Sequence, residues 1–164
     1  MRLNLIKTQL SNVHDIYQTI QLTVKSAKIE RTKVECLKAG LTGEKTTTVT
    51  ESLTAQHLGS GGLLVYATPA MIALMEAAAV AAIDHLLPEG QASVGTALNV
   101  RHLAATPLGH AVRARAVVAG VEGRQVTFTV QAWDEQELIG EGTHTRFVID
   151  VARFTERLQK KTKA

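Results

Sequence analysis

Ala67-Thr68-Pro69-Ala70-Met71-Ile72-Ala73-Leu74-Met75-Glu76-Ala77-Ala78-Ala79-Val80-Ala81-Ala82-Ile83-Asp84-His85 is the stretch on which the fold turns. It reads as a helix, with Thr68 expected as the N-cap and Pro69 at the first helical position, where a missing N–H costs nothing. Ala, Met and Leu are among the strongest helix formers. Leu86-Leu87-Pro88-Glu89-Gly90 then stops the run. From Pro69 to Ile83 every residue is apolar except Glu76, so no wide face is left for water. A helix apolar all round is a buried helix. A carboxylate in or at the rim of such an interior is costly unless paired or functional. Glu76 is therefore the first candidate for chemistry.

Outward from this helix the pattern changes to strands. Before it, Lys45 to Leu53 is rich in β-branched residues and predicts a first strand. Thr54 to Leu64 is a loop with three glycines, and His57 within it reads as a surface histidine. After Gly90 the chain alternates with period two. Ala92 to Ala104 puts Val94, Thr96, Leu98, Val100 and His102 on one side, with Ser93, Gly95, Ala97, Asn99, Arg101 and Leu103 on the other. Further strands are expected at His110 to Val121, Gln125 to Trp133 and Leu138 to Val151, joined by the tight connections Glu122-Gly123-Arg124 and Asp134 to Glu137. Ala152 to Gln159 suits a short terminal helix. One strand, a buried helix and four antiparallel strands make an α+β domain in which a sheet of about five strands curls around the helix. Its exposed edges favour pairing into dimers.

Composition narrows the function classes. The 164 residues fit one domain with an extension. The net charge of +3 includes no dense basic stripe, so no nucleic-acid partner is expected; the tail Lys160-Lys161-Thr162-Lys163 reads as a solvated terminus. Cys36 is the only cysteine, which excludes an internal disulfide and a cysteine-built metal site and makes a cytoplasmic setting the default. No stretch reaches the roughly 20 apolar residues of a bilayer span, and no membrane partner is expected. The N-terminus lacks a signal-peptide pattern.

Residues 1–33 differ in character from residues 34–164 and are expected to form an N-terminal extension. Ile6, Leu10, Val13, Ile20 and Val24 fall at helix-compatible spacing there, and Ser11 suits a cap, yet the segment carries no evident chemistry.

Besides Glu76, the candidates are Thr68, His102 and Gly95. Thr68 read by itself is a cap. His102 is either a satisfied histidine at a strand end or a proton-transfer group. Gly95, in mid-strand, marks either a bulge or a place where ligand approaches backbone. Thr68 and Glu76 lie eight residues apart, about 12 Å along a helix. They share a face but cannot touch.

Five blocks, in one order, carry a resemblance. They are Ala67-Thr68-Pro69 with Leu74-Met75-Glu76, Ser93-Val94-Gly95-Thr96-Ala97, His102-Leu103-Ala104-Ala105-Thr106-Pro107, Val121-Glu122-Gly123-Arg124 and Gly142-Thr143-His144-Thr145-Arg146. Over residues 36 to 160 the chain resembles the fluoroacetyl-coenzyme A thioesterase family of hotdog-fold proteins. The resemblance implies a catalytic triad of Thr68, Glu76 and His102, a backbone N–H donor at Gly95 near the thioester oxygen, and a site arginine at Arg146. It also implies a homodimer with each site at the subunit interface, which would answer the distance between Thr68 and Glu76.

The chain departs from members selective for fluoroacetate. Those carry phenylalanines as a lid before the catalytic threonine, where this chain has Gly59-Ser60-Gly61-Gly62-Leu63-Leu64, and Pro69 stands where glycine is expected. The expected activity is hydrolysis of a small or medium acyl-coenzyme A thioester to free acid and coenzyme A (CoA), with no metal and no cofactor. The competing expectation is a non-catalytic hotdog module that binds an acyl-CoA as a sensor. The intact Thr68, Glu76 and His102 set favours the enzyme.

Overall fold

The computed structural model describes Gln18, Gln21 and residues 36–162. The chain divides into two units, Met1–Cys36 and Leu37–Ala164. Of the first, only Gln18, Gln21 and Cys36 are described, the two glutamines being helical. The helix expected from Ile6, Leu10, Val13, Ile20 and Val24 lies outside the described residues, and all that follows concerns the second unit.

That unit runs β1 (Thr42–Thr48), a 3-10 turn at Glu51–Leu53, α1 (Thr68–Ile83), a second such turn at Asp84–Leu86, β2 (Gln91–His102), β3 (Ala111–Glu122), β4 (Gln125–Trp133), β5 (Leu138–Asp150) and α2 (Val151–Lys161). The five strands form one sheet in the order β1-β3-β4-β5-β2, with every neighbouring pair antiparallel. β1 and β2 are its two edges.

Period-two patterning decides which face meets the helix. Val112, Ala114, Ala116 and Val118 on β3 and Val126, Phe128, Val130 and Ala132 on β4 are all buried, while Arg113, Arg115, Gln125 and Thr129 point outward. Each valine or phenylalanine so buried contributes about 1.5–3 kcal/mol relative to exposure. Truncating Phe128 to alanine would cost about 3–5 kcal/mol. α1 lies against β1 and β3. It comes so close to β1 that a Cβ on Gly43 would run into the helix backbone at Ala78 and Ala82.

Burial of α1 is less even than its sequence suggests. Ala70, Met71, Met75, Ala78, Ala79, Ala82 and Ile83 are buried, but Ala73 is exposed and Ile72, Glu76, Ala77 and Val80 are only partly covered. The sheet covers one side of the helix, leaving a partly exposed stripe of Ile72, Ala73, Ala77 and Val80 that includes Glu76. Taken with its following turn, Thr68–Leu86 is 19 residues and is long and apolar enough, by length and composition, to cross a membrane. The expectation that no such stretch exists is corrected on that count. In this fold the segment packs on a sheet.

The first strand begins and ends earlier than its β-branched run predicts, at Thr42–Thr48 rather than Lys45–Leu53. The reason is local. Thr54 Oγ1 donates to Glu51 O (2.7 Å), and Thr50 and Ser52 share a hydrogen bond (2.9 Å). Side chains of this kind offer the backbone an alternative to the ladder. At the far end, Asp134 Oδ1 accepts from the N–H groups of Gln136 and Glu137 and Oδ2 from the Thr106 hydroxyl. Burial pushes the Asp134 carboxyl up, but these donors together with His110 outweigh it and hold it below its ordinary value.

Candidate active site

α1 begins at Thr68, so Ala67 is the N-cap and Pro69 the second helical residue. The expectation that Thr68 caps the helix is corrected. No side chain caps it, and Thr68 Oγ1 instead reaches His102 Nδ1 at 2.8 Å. His102 ends β2, and its other ring nitrogen, Nε2, is buried with no hydrogen-bond partner among the described residues. Such an imidazole has one nitrogen oriented by a neighbour and the other left for a reacting group. A cavity of about 290 Å³ lies beside it, lined by Val65, Tyr66, His102, Leu103, Ala104 and Ala105. Burial pushes the Tyr66 phenol up to about 12, so it stays a neutral wall.

Glu76 stands two turns further along α1, on the rim, with 36% of its side chain exposed. Its neighbours are not Thr68 and His102 but a second group. Oε1 lies 3.7 Å from His144 Nε2 and 3.9 Å from Arg146 Nη1. A Cβ on Gly95 would stand 2.5 Å from the same oxygen. Glycine at position 95 therefore lets the carboxylate approach the β2 backbone. The structure thus brings Thr68 to His102, and Glu76 to Gly95 and Arg146, as two groups in one chain.

A bulge arranges this. β2 and β5 pair Gly95 with Arg146 and Ala97 with Thr145, so Thr96 is an extra residue. Gly95 and His102 were expected on opposite sides of the strand. Their partners Arg146 and Gly140 lie six apart on β5 with unbroken pairing between them, so both face the helix side. Of the two readings of Gly95, the structure shows the bulge, which follows it, and it is the Glu76 carboxylate that sits over the glycine.

Sequence reasoning missed His144, Asp84 and Ser93. His144 is buried, stacks on Phe128 (centroids 6.1 Å apart) and donates from Nδ1 to Ala97 O at 3.0 Å. Arg146 Nη1 then donates to its Nε2 at 3.2 Å. Burial, with the Arg146 charge adding to it, lowers the His144 imidazole below its ordinary value against the opposing pull of Ala97 O and Glu76. Arg146 also donates from Nε to Ser93 Oγ and from Nη2 to Ser93 O, both at 2.7 Å. Ser93 in turn donates its hydroxyl and its N–H to the Asp84 carboxylate. Burial lowers the Arg146 guanidinium too, and Asp84 and Glu76 counteract it. The available signal was the period-two run Gly140, Gly142, His144, Arg146, which sets two basic residues beside two glycines on one strand face. Among the described residues, no three His, Cys, Asp or Glu side chains gather as metal ligands.

Residues 49–152 match FlK, the fluoroacetyl-CoA-specific thioesterase family. The chain belongs to that family. The fluoroacetyl-CoA thioesterase of Streptantibioticus cattleyicolor is 44% identical over 100 residues, 61% of this chain and 72% of that protein. A solved structure of an FlK variant in complex with acetyl-CoA superposes with a TM-score of 0.73 at 36% identity, covering 77% of this chain and 99% of that one. A hot-dog-like protein from Thermanaerovibrio acidaminovorans superposes at 0.71 with 28% identity, over 77% and 94% of the two chains. This member of the FlK family is an α+β hotdog protein and a hydrolase of acyl-CoA thioesters. None of these relatives favours the non-catalytic sensor reading.

Proposed function

We propose that Thr68, Glu76 and His102 form the catalytic set of this thioesterase, completed across the interface of a cytoplasmic homodimer. The observation that carries the reading is the Thr68–His102 hydrogen bond beside an apolar cavity, with Glu76 on the same helix open to solvent. The thioester carbonyl carbon receives an oxygen, either from water whose proton Glu76 takes or from the Glu76 carboxylate itself, giving an anhydride that water then opens. In both routes the carbon–sulfur bond breaks, the CoA thiolate leaves and takes a proton from the protonated His102 ring, and the proton given up by the attacking water recharges the ring. Thr68 orients that ring. The Gly95 N–H holds the carbonyl oxygen as it gains charge, with Arg146 as the positive charge nearby.

Two features support the dimer. The edge strand β2 is exposed from Gly95 to Asn99, with Leu98 41% exposed, and the partly covered stripe of α1 lies apolar around Glu76. A second copy paired along β2 would cover both and bring a Thr68–His102 pair towards the partner's carboxylate. Light scattering should then give about 35 kDa, twice the 17.7 kDa chain. Glu76→Gln keeps the side-chain size and removes the charge. Its kcat should fall by about 10²–10⁴-fold with an unchanged circular dichroism spectrum. Near-normal turnover in the folded variant would sink the assignment.

A further inference from the structure

We propose that Asp84, Ser93 and His144 are positioning residues that lock the Arg146 guanidinium opposite Glu76, so that the site carries a fixed positive charge which donates no hydrogen bond to the carboxylate. The proposal rests on the reading of Glu76 as the reacting carboxylate.

The direction of every hydrogen bond in this chain of residues is set from its two ends. Asp84 can only accept, so the Ser93 hydroxyl donates to it and offers its lone pair to Arg146 Nε. Ala97 O can only accept, so His144 carries its proton on Nδ1 and offers the Nε2 lone pair to Arg146 Nη1. Three of the five guanidinium N–H groups are used by Ser93 Oγ, Ser93 O and His144 Nε2. His144 thereby has no N–H to give Glu76, although it lies nearest to it. The cation at Glu76 is Arg146, 3.9 Å away, beyond hydrogen-bond range.

That arrangement suits a reacting carboxylate. A direct Arg–carboxylate fork would occupy the oxygen lone pairs and hold the group in its ground state. A guanidinium pinned one step back leaves those lone pairs for water or substrate and still faces negative charge as it develops. Arg146 is 6% exposed, and a buried guanidinium needs its donors satisfied and a counter-charge. Asp84 supplies the counter-charge through Ser93, on the side of Arg146 away from Glu76. Without Asp84, the guanidinium has Glu76 as its remaining acidic neighbour and closes onto it.

Asp84→Asn should therefore lower kcat about 10- to 100-fold and leave KM within twofold, with a lowered melting temperature because the buried guanidinium loses its counter-charge. In an Arg146→Lys background the same substitution should add nothing further, because lysine cannot make the three-way attachment. Ser93→Ala, which keeps the carbonyl contact and removes one oxygen, should lower kcat in the same sense and serves if Asp84→Asn is not recovered folded. Wild-type kcat in a folded Asp84→Asn or Ser93→Ala protein would overturn the proposal. So would a loss carried by KM, or an undiminished further loss in the Arg146→Lys background. An active Glu76→Gln variant would instead overturn the catalytic reading, so the two failures are told apart.

Discussion

Thr68 and His102, 34 residues apart in sequence, are joined by a hydrogen bond of 2.8 Å between Oγ1 and Nδ1. That bond takes the hydroxyl away from the helix end it adjoins. An N-cap threonine replaced by a residue without a hydroxyl usually costs about 0.5–2 kcal/mol. Thr68→Val should cost little stability here, because the hydroxyl caps nothing, while kcat falls about 10- to 100-fold as the ring loses its orienting partner. Thr68→Ser should recover most of the activity. A large drop in melting temperature with turnover intact would restore the cap reading.

Gly95→Ala tests the approach of Glu76 to the β2 backbone. The added Cβ would stand 2.5 Å from Glu76 Oε1 and 3.1 Å from His144 Cε1. The carboxylate must swing away, and a misplacement of about 1 Å is enough to cost on the order of 100-fold in rate. The protein should remain folded, since Glu76 has open rim to move into. Assay of kcat/KM beside a thermal melt checks both halves; unchanged kcat/KM would count against Glu76 working where it stands.

His144 should make stability depend on pH. Its native pKa lies below the ordinary 6.5 because burial disfavours the charged ring. Between those two values the unfolded chain binds a proton that the native protein does not, so stability rises with pH through that window and levels off above about 6.5. Below it, a protonated Nε2 would also face Arg146 Nη1 with two donors. The melting temperature should fall as pH is lowered from 6.5, and His144→Gln should lessen the fall. A variant as acid-sensitive as the wild type would exclude His144 as the source.

Substrate choice should be graded. Gly59, Gly61 and Gly62 carry no side-chain bulk, and Leu63 and Leu64 are 68% and 53% exposed, so no aromatic side chain from Gly59–Leu64 covers the cavity beside His102. In an apolar pocket one methylene is worth about 1–3 kcal/mol. Acetyl- and fluoroacetyl-CoA should differ in kcat/KM by less than about 100-fold, with somewhat longer acyl chains accepted. A preference of several thousandfold for the fluorinated substrate would show that Leu63, Leu64 or Tyr66 closes over the site.

Much of this was legible in the order of residues. The run from Pro69 to Ile83 announced the central helix, and Val126, Phe128, Val130 and Ala132 announced the inward face of β4, because helix and strand periods are local properties of the chain. Glu76 stood out for the same reason, as the one charge in an apolar run. Three things were decided only by the tertiary structure. The extra residue at Thr96 turns Gly95 and His102 to one face, and a bulge leaves no mark in an alternation whose two sides are both mixed. Thr68 leaves its cap role because His102 arrives from a distant strand. His144, Asp84 and Ser93 join Arg146 because the pairing of β2 with β5 and the turn after α1 bring together residues 84, 93, 144 and 146, whose relation no local pattern encodes.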